Sequence, residues 1–213
     1  MVQEATNEVT RKKNPDLTRE KILQAAFTEI HEKGFRSASL DCILSHAGVT
    51  KGALYHHFGN KNELGYAVVD EIIREHMLEN MIRPLLQSED PIETMLSNLA
   101  SMKEGCCSRS LECGCPLNNL AMEMSPVDEG FRTRIESIFC LWRDALSEAL
   151  RNGQANRTVR PDIDTGKTAL FLISACEGLW TMTKSAQDLE VMDSCIYGLS
   201  QYLDSLRIQK PIQ

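Results

Sequence analysis

A chain of 213 residues, 42% apolar and 25% charged with a net charge of −7, can bury a full core without cross-links. No run approaches the roughly twenty apolar residues of a membrane span, and the N-terminus MVQEATNEVTRKKNPD lacks the apolar centre of a signal peptide. A cytoplasmic protein with no membrane partner is expected, its eight cysteines present as thiols and not as a disulfide framework.

Residues 1–16 show no periodicity and read as a flexible arm, whose Arg11, Lys12 and Lys13 either touch phosphates or keep the terminus solvated. Thr18 reads as the N-cap of a first helix with Ile22, Leu23, Ala25, Ala26, Phe27 and Ile30 on its apolar face, stopped at Gly34. From Ser39 to Lys61 the sequence SLDCILSHAGVTKGALYHHFGNK reads as helix, tight turn, helix and a hinge into a third. Ser39 is the first N-cap, and Leu40, Ile43, Leu44 and Ala47 share one face. Gly48 sits where a left-handed residue must end that helix, and Thr50 caps the next. At its start Lys51, Gly52 and Ala53 set one cation beside two residues with almost no side chain, so the backbone can approach a flat anionic partner closely. Leu54 and Phe58 anchor the inner face, while Tyr55, His56 and His57 carry polar tips suited to phosphates and base edges. The unit reads as a DNA-binding helix-turn-helix. His56 and His57, adjacent on a helix, point about 100° apart and do not suit a shared metal.

A long helix is expected from about Asn62 to Ile82, ended by Pro84, and a further helix from Pro91 to about Lys103. Gly105 to Cys115, GCCSRSLECGC, reads as irregular and holds four of the cysteines. Pro116 to Met124 forms a short helix before Pro126, and a strongly periodic one runs from about Asp128 to Asn152, closed by Gly153. The last two, about Asp164 to Ser185 and Asp188 to Leu206, are the most apolar. They either pair with a second copy as a four-helix bundle, giving a homodimer through residues 164–206, or bury against their own domain. Nothing suggests strands. The expected fold is all-α, with an arm over 1–16, a three-helix DNA-binding domain over 17–62, and a helical effector-binding and dimerisation domain over 63–213.

Charge is segregated along this plan. From Thr10 to Asn62 there are nine Lys or Arg against five acids, a local +4 in a chain whose remainder sums to −11. A basic head on an acidic body attracts phosphates at one end and repels them elsewhere.

The head resembles the TetR family of bacterial transcriptional regulators. The resemblance rests on Thr18, Ile22-Leu23, Ala25-Ala26, Gly34-Phe35, Ala38-Ser39-Leu40, Ile43, Ala47 through Gly52, Leu54 through Phe58, Lys61 and Leu64. Leu44 departs from it, standing where the family usually has alanine. The resemblance implies a homodimeric regulator, mostly a repressor, that binds palindromic operator DNA and is released by a small-molecule inducer. Carried over by position, it assigns Lys51, Gly52, Ala53 and His56 to base edges, and Ser39, Thr50, Tyr55, His57 and Lys61 to phosphates. The segment Gly114 to Leu120, GCPLNNL, together with Glu123, looks like one from a branch of the family with members that sense reactive compounds.

In the body, Met122, Phe131, Phe139, Trp142, Cys176, Glu177 and Trp180 are the expected lining of an inducer pocket. Glu177, one turn from Trp180 in an apolar helix, requires a partner: a cationic ligand, water, or Arg143 or Lys184. Cys106, Cys107 and Cys115 have three readings: small core or loop residues, a soft-metal site for which the spacing is poor, or a thiol sensor. The sensor reading draws on Arg109 nearby and on a helix N-terminus lowering the pKa of Cys115. No metal and no cofactor is expected. The competing function, a thiol-dependent redox protein or enzyme using Cys106 to Cys115, lacks an obvious base, since His31, His46, His56, His57 and His76 all fall in the head or the linking helix.

Overall fold

The computed structural model describes residues 15–106 and 108–208, and among these no β-strand occurs beyond a lone bridge between Val159 and Arg207. The arm residues Arg11, Lys12 and Lys13 lie outside the described residues, as do Cys107 and the side chain of Arg109. No helix among the described residues is long and apolar enough to cross a membrane.

The head consists of α1 (Pro15–Lys33), α2 (Leu40–Ala47) and α3 (Lys51–His57). Helix α1 already runs from Pro15, so Thr18 lies within it and is not its cap. Pro15 suits a first helical turn because its φ is preset, and Asp16 complements the dipole there. Ile22, Leu23, Ala26 and Ile30 are buried against α2 and α3, where Ile43, Leu54 and Phe58 complete a small core. Leu44 is half-buried against that core.

The connecting helix, α4, spans residues 61–86 without a break. It begins as an α-helix (Lys61–Ala67), widens into π-helical turns over Val68–Ile73 and again over Leu78–Ile82, and ends with Arg83–Leu86. In the wide turns the backbone N–H groups of Arg74 and Arg83 reach the carbonyls five residues back, at Val69 and Leu78. Pro84 therefore does not end this helix. A proline inside an α-helix lacks an N–H and clashes with the carbonyl four residues earlier, and the wide turn immediately before it relieves both problems.

The body contains α5 (Pro91–Glu104), α6 (Ser108–Cys113), α7 (Pro116–Met124), α8 (Glu129–Ala155), α9 (Thr165–Ala186) and α10 (Leu189–Ser205). Asp90, Asp128, Asp164 and Asp188 cap α5, α8, α9 and α10, each accepting a backbone N–H of the first turn. Two sequence expectations change here. The segment read as irregular before Cys115 holds the short helix α6, and α8 continues through Gly153. A Cβ on Gly153 would meet Val159 Cγ2 at 2.6 Å and Pro91 Cγ at 2.9 Å, so this glycine marks close packing and not a helix end.

Helices α8, α9 and α10 pack side by side, with Trp142, Leu146, Leu150, Leu172, Leu179, Leu199 and Leu203 in the core. Their outer surface remains apolar: Leu170, Phe171 and Met182 of α9 and Leu189 and Tyr197 of α10 are exposed. Phe171 meets Tyr202 edge to face at 4.8 Å between ring centroids.

Head and body meet through aromatic packing. Phe131 of α8 is fully buried, its ring centroid 4.6 Å from that of Phe35 and 4.9 Å from that of Tyr66. A Cβ on Gly65 would come within 2.6 Å of the Phe35 and Phe131 rings, so only glycine lets α4 lie this close.

Candidate DNA interface and effector cavity

The helix-turn-helix forms as its caps dictate. Ser39 Oγ accepts the N–H of Cys42 at 3.4 Å, Gly48 is left-handed at φ 65°, and Thr50 Oγ1 accepts the N–H of Ala53 at 3.3 Å. With Leu54 and Phe58 buried, the rest of α3 is turned outward. Lys51, Gly52, Tyr55 and His56 are exposed, and Ala53 and His57 are half-buried. His56 and His57 are edge to face at 5.2 Å. Ser39 and Lys61, the flanking residues, already have internal partners. Ser39 donates its N–H to Glu29, and Lys61 Nζ donates to Arg36 O at 3.2 Å and lies 5.0 Å over the Phe35 ring. Desolvation there lowers the Lys61 pKa from its ordinary value. Lys61 thus braces the head and approaches any phosphate from a fixed position.

A second feature is an open cavity of about 860 Å³ enclosed by α1, α4, α5, α7, α8 and α9. Trp142, Cys176, Glu177 and Trp180 line it as the sequence suggests. Met122, Phe131 and Phe139 do not. Met122 is 75% exposed and lines a neighbouring pocket that shares Cys115 and Trp180 with this one, Phe131 belongs to the seam between head and body, and Phe139 packs against the core. Helical periodicity marks an apolar face without saying which neighbour that face meets, and this is where the expectation failed. The sequence also missed the contribution of α4 and α5, including His76, Met77, Met81 and Met102. The widened turns in this part of α4 have no signature in residue spacing.

Glu177 does not pair with Arg143 or Lys184. Arg143 Nη2 donates to Asp144 at 2.7 Å, and Lys184 Nζ donates to Asn119 Oδ1 at 3.0 Å. The neighbour of Glu177 is Cys115, whose thiol donates to Oε1 at 3.5 Å, while Oε2 is shut from solvent without a hydrogen-bond partner. Burial pushes the Glu177 carboxyl up to about 7. Burial and the adjacent carboxylate push the Cys115 thiol well above its ordinary range, opposite to the activation expected at a helix N-terminus. Cys115 stands at the N-cap position of α7, where the N–H groups of Asn118 and Leu117 act to lower its pKa, but burial and Glu177 outweigh them. Cys176 is likewise raised to about 12. Cys106 is half-buried against the core.

Helix α7 connects the cavity to the head. Its first end carries Cys115. Near its other end Glu123 accepts the N–H groups of Phe35 and Arg36, both at 2.8 Å, directly after α1. Gly34, left-handed at φ 80°, makes room for that carboxylate, which a Cβ would approach to 2.9 Å. Asn118 and Asn119 tie α7 to α9 and to the Cys113 carbonyl, and His31 Nε2 lies 2.8 Å from Gly114 O. The Gly114 to Leu120 segment and Glu123 thus build a brace between cavity and head. Glu123→Ala, which strands two backbone donors, is expected to lower the unfolding free energy by about 1–3 kcal/mol in urea titrations, with helicity by circular dichroism unchanged.

Comparison with known proteins gives a consistent picture. Residues 22–68 match the family of bacterial regulatory proteins, tetR family, and residues 91–196 match the C-terminal domain of LmrA/YxaF-like transcriptional regulators. An HTH-type transcriptional regulator encoded in the lacX 3′ region of Lactococcus lactis is 29% identical over 83% of this chain and 88% of its own length. The HTH-type transcriptional repressor DhaR of Mycobacterium sp. is 27% identical over 76% of this chain and 80% of its own. A TetR transcriptional regulator of Chloroflexus aurantiacus shares the fold with a TM-score of 0.80, at 24% identity over 92% of this chain and 98% of that one.

Proposed function

Because the chain belongs to the TetR family of bacterial transcriptional regulators, we propose that it represses transcription by binding a palindromic operator as a homodimer, and that an effector in the body cavity releases it. The observation that carries this reading is the capped α2–α3 unit, with Leu54 and Phe58 locked inside and Lys51, Gly52, Tyr55 and His56 presented outward. Ser39, Thr50, His57 and Lys61 flank that surface as phosphate contacts, and Ala53 lets the backbone approach the base edges. The exposed apolar residues of α9 and α10 supply a self-complementary face through which two heads can be held at the spacing of successive major grooves. Repression is the sign carried by the name of the Mycobacterium relative.

Release follows from the brace formed by α7. An effector that displaces the Cys115 thiol from Glu177 shifts one end of α7, and Glu123 at the other end moves Phe35 and Arg36 with it. A catalytic or redox role for the cysteines is less well supported, because the Cys115 thiol is held protonated beside a carboxylate. His76 lines the same cavity, which supplies the base the sequence did not reveal, but desolvation lowers its pKa without correcting the thiol.

Gel shifts with the DNA flanking the gene test the proposal. Lys51→Ala is expected to weaken selective binding by about tenfold or more and to flatten its salt dependence, with a smaller loss for Tyr55→Phe. Absence of sequence-selective binding by the wild type, with both variants indistinguishable from it, would overturn the repressor reading.

A further inference from the structure

The charge inventory of the body cavity is one-sided. No Lys or Arg side chain is among the described residues that line it, and its two acids are Glu79 and Glu177. Glu79 is satisfied at the rim by Arg83. Among the described residues no cation is bonded to Glu177: the one hydrogen bond to its side chain comes from a neutral thiol, and Oε2 has no partner. The other titratable groups facing it across the cavity are His31, His76, Cys115 and Cys176. His76 is pushed toward its neutral form by desolvation, and burial keeps both thiols protonated, so these three offer no compensating positive charge, while the fourth, His31, is engaged through Nε2 with the Gly114 carbonyl at 2.8 Å. Around this lone acid stand two indole rings, from Trp142 and Trp180, and the thioethers of Met77, Met81 and Met102. Aromatic faces attract cations through the ring quadrupole, and thioethers adapt to flat apolar ligands.

We infer that the cavity takes an organic monocation with a flat apolar body, its positive charge beside the Glu177 carboxylate and its body against the tryptophans and methionines. A neutral ligand would leave the acid uncompensated, and an anion would be repelled by Glu177 and find Arg83, beside the cavity, already committed to Glu79. The volume of about 860 Å³ is ample for a ring system of three or four fused rings. This inference rests on the effector-cavity reading given above and adds the chemical class of the effector.

The chain contains two tryptophans and both line the cavity, so intrinsic fluorescence reports on its occupancy. The test titrates the full-length protein, without DNA, with N-methylacridinium, a permanent cation, and with acridine, which has the same ring frame and is neutral at pH 8. The expected result is quenching of tryptophan emission with at least about tenfold tighter binding of the cation. Glu177→Gln is expected to abolish that preference by weakening the cation alone, with acridine binding and thermal melting showing an intact cavity. For wild type, cation affinity is expected to fall between pH 8 and pH 6 as Glu177 takes up a proton, and in Glu177→Gln to remain flat. Equal affinities for the two probes, no quenching by the cation up to millimolar concentration, or a preference that survives Glu177→Gln would each overturn the inference. A protein that binds operator but shows no preference loses this inference alone. One that prefers the cation but binds no DNA loses only the regulator reading.

Discussion

Phe131→Ala is expected to lower the unfolding free energy by about 3–5 kcal/mol. The ring is fully buried and meets Phe35 and Tyr66 edge to face, so truncation removes apolar contact and leaves a void that neither neighbour can fill. Its backbone N–H is already fixed by Asp128, whose other contacts are the Tyr66 hydroxyl at 2.8 Å and the Asn62 amide at 3.0 Å. The void would therefore persist at the seam between head and body. Urea unfolding followed by circular dichroism measures the loss, and hydrogen exchange should show the first turns of α4 losing protection before the α8–α9 core. A loss below about 1 kcal/mol would mean that the seam does not bear on stability.

Glu177→Gln is expected to make the protein more stable than wild type at pH 8, by roughly 3 kcal/mol. The native carboxyl titrates at about 7 against an ordinary value of 4.5, so between these two pH values the folded protein holds a proton that the unfolded chain releases. Wild-type stability therefore falls as pH rises through this window, and the deficit is complete above about 7. Glutamine removes the titration, so the two proteins should agree at pH 4.5 or below and separate progressively to pH 8. Denaturant midpoints measured across that range provide the check, and parallel curves at every pH would show that the carboxyl is well solvated after all.

The stability cost and the legibility of this site have the same origin. The caps Ser39 and Thr50, the left-handed stops at Gly34 and Gly48, and the buried stripes of the head were readable because each depends on residues within one or two turns. Glu177 was readable as a problem, a carboxylate in an apolar helix, but its solution was not. Cys115, 62 positions away, becomes its neighbour only through the packing of α7 on α9. The thiol itself misled, because a helix N-terminus argues for a lowered pKa while burial beside an acid dominates. Pro84 and Gly153 misled for a related reason. Both are helix breakers by local rules, yet one follows a widened turn and the other fills a gap too narrow for a methyl group. Glu123 gave only a faint signal, since nothing local shows that its carboxylate will hold the chain just past Gly34.

The two widened turns of α4 have a consequence for how this chain tolerates change in length. Each such turn accommodates one residue beyond the α-helical register, so loss of a single codon within Val68–Ile73 can be absorbed by reverting to ordinary winding, with every backbone donor still paired. The helix would survive, and because a wide turn spends more residues on the same sweep, losing one and winding the rest as α-helix leaves everything after it close to its original bearing. His76 and Met77 would keep their places in the cavity wall, whereas the same loss from the ordinary stretch Lys61–Ala67 would swing everything after it by about 100°. The widened turns are spare length, and the bearing of one half of the molecule on the other tolerates the loss of a residue there and not in the turns before them.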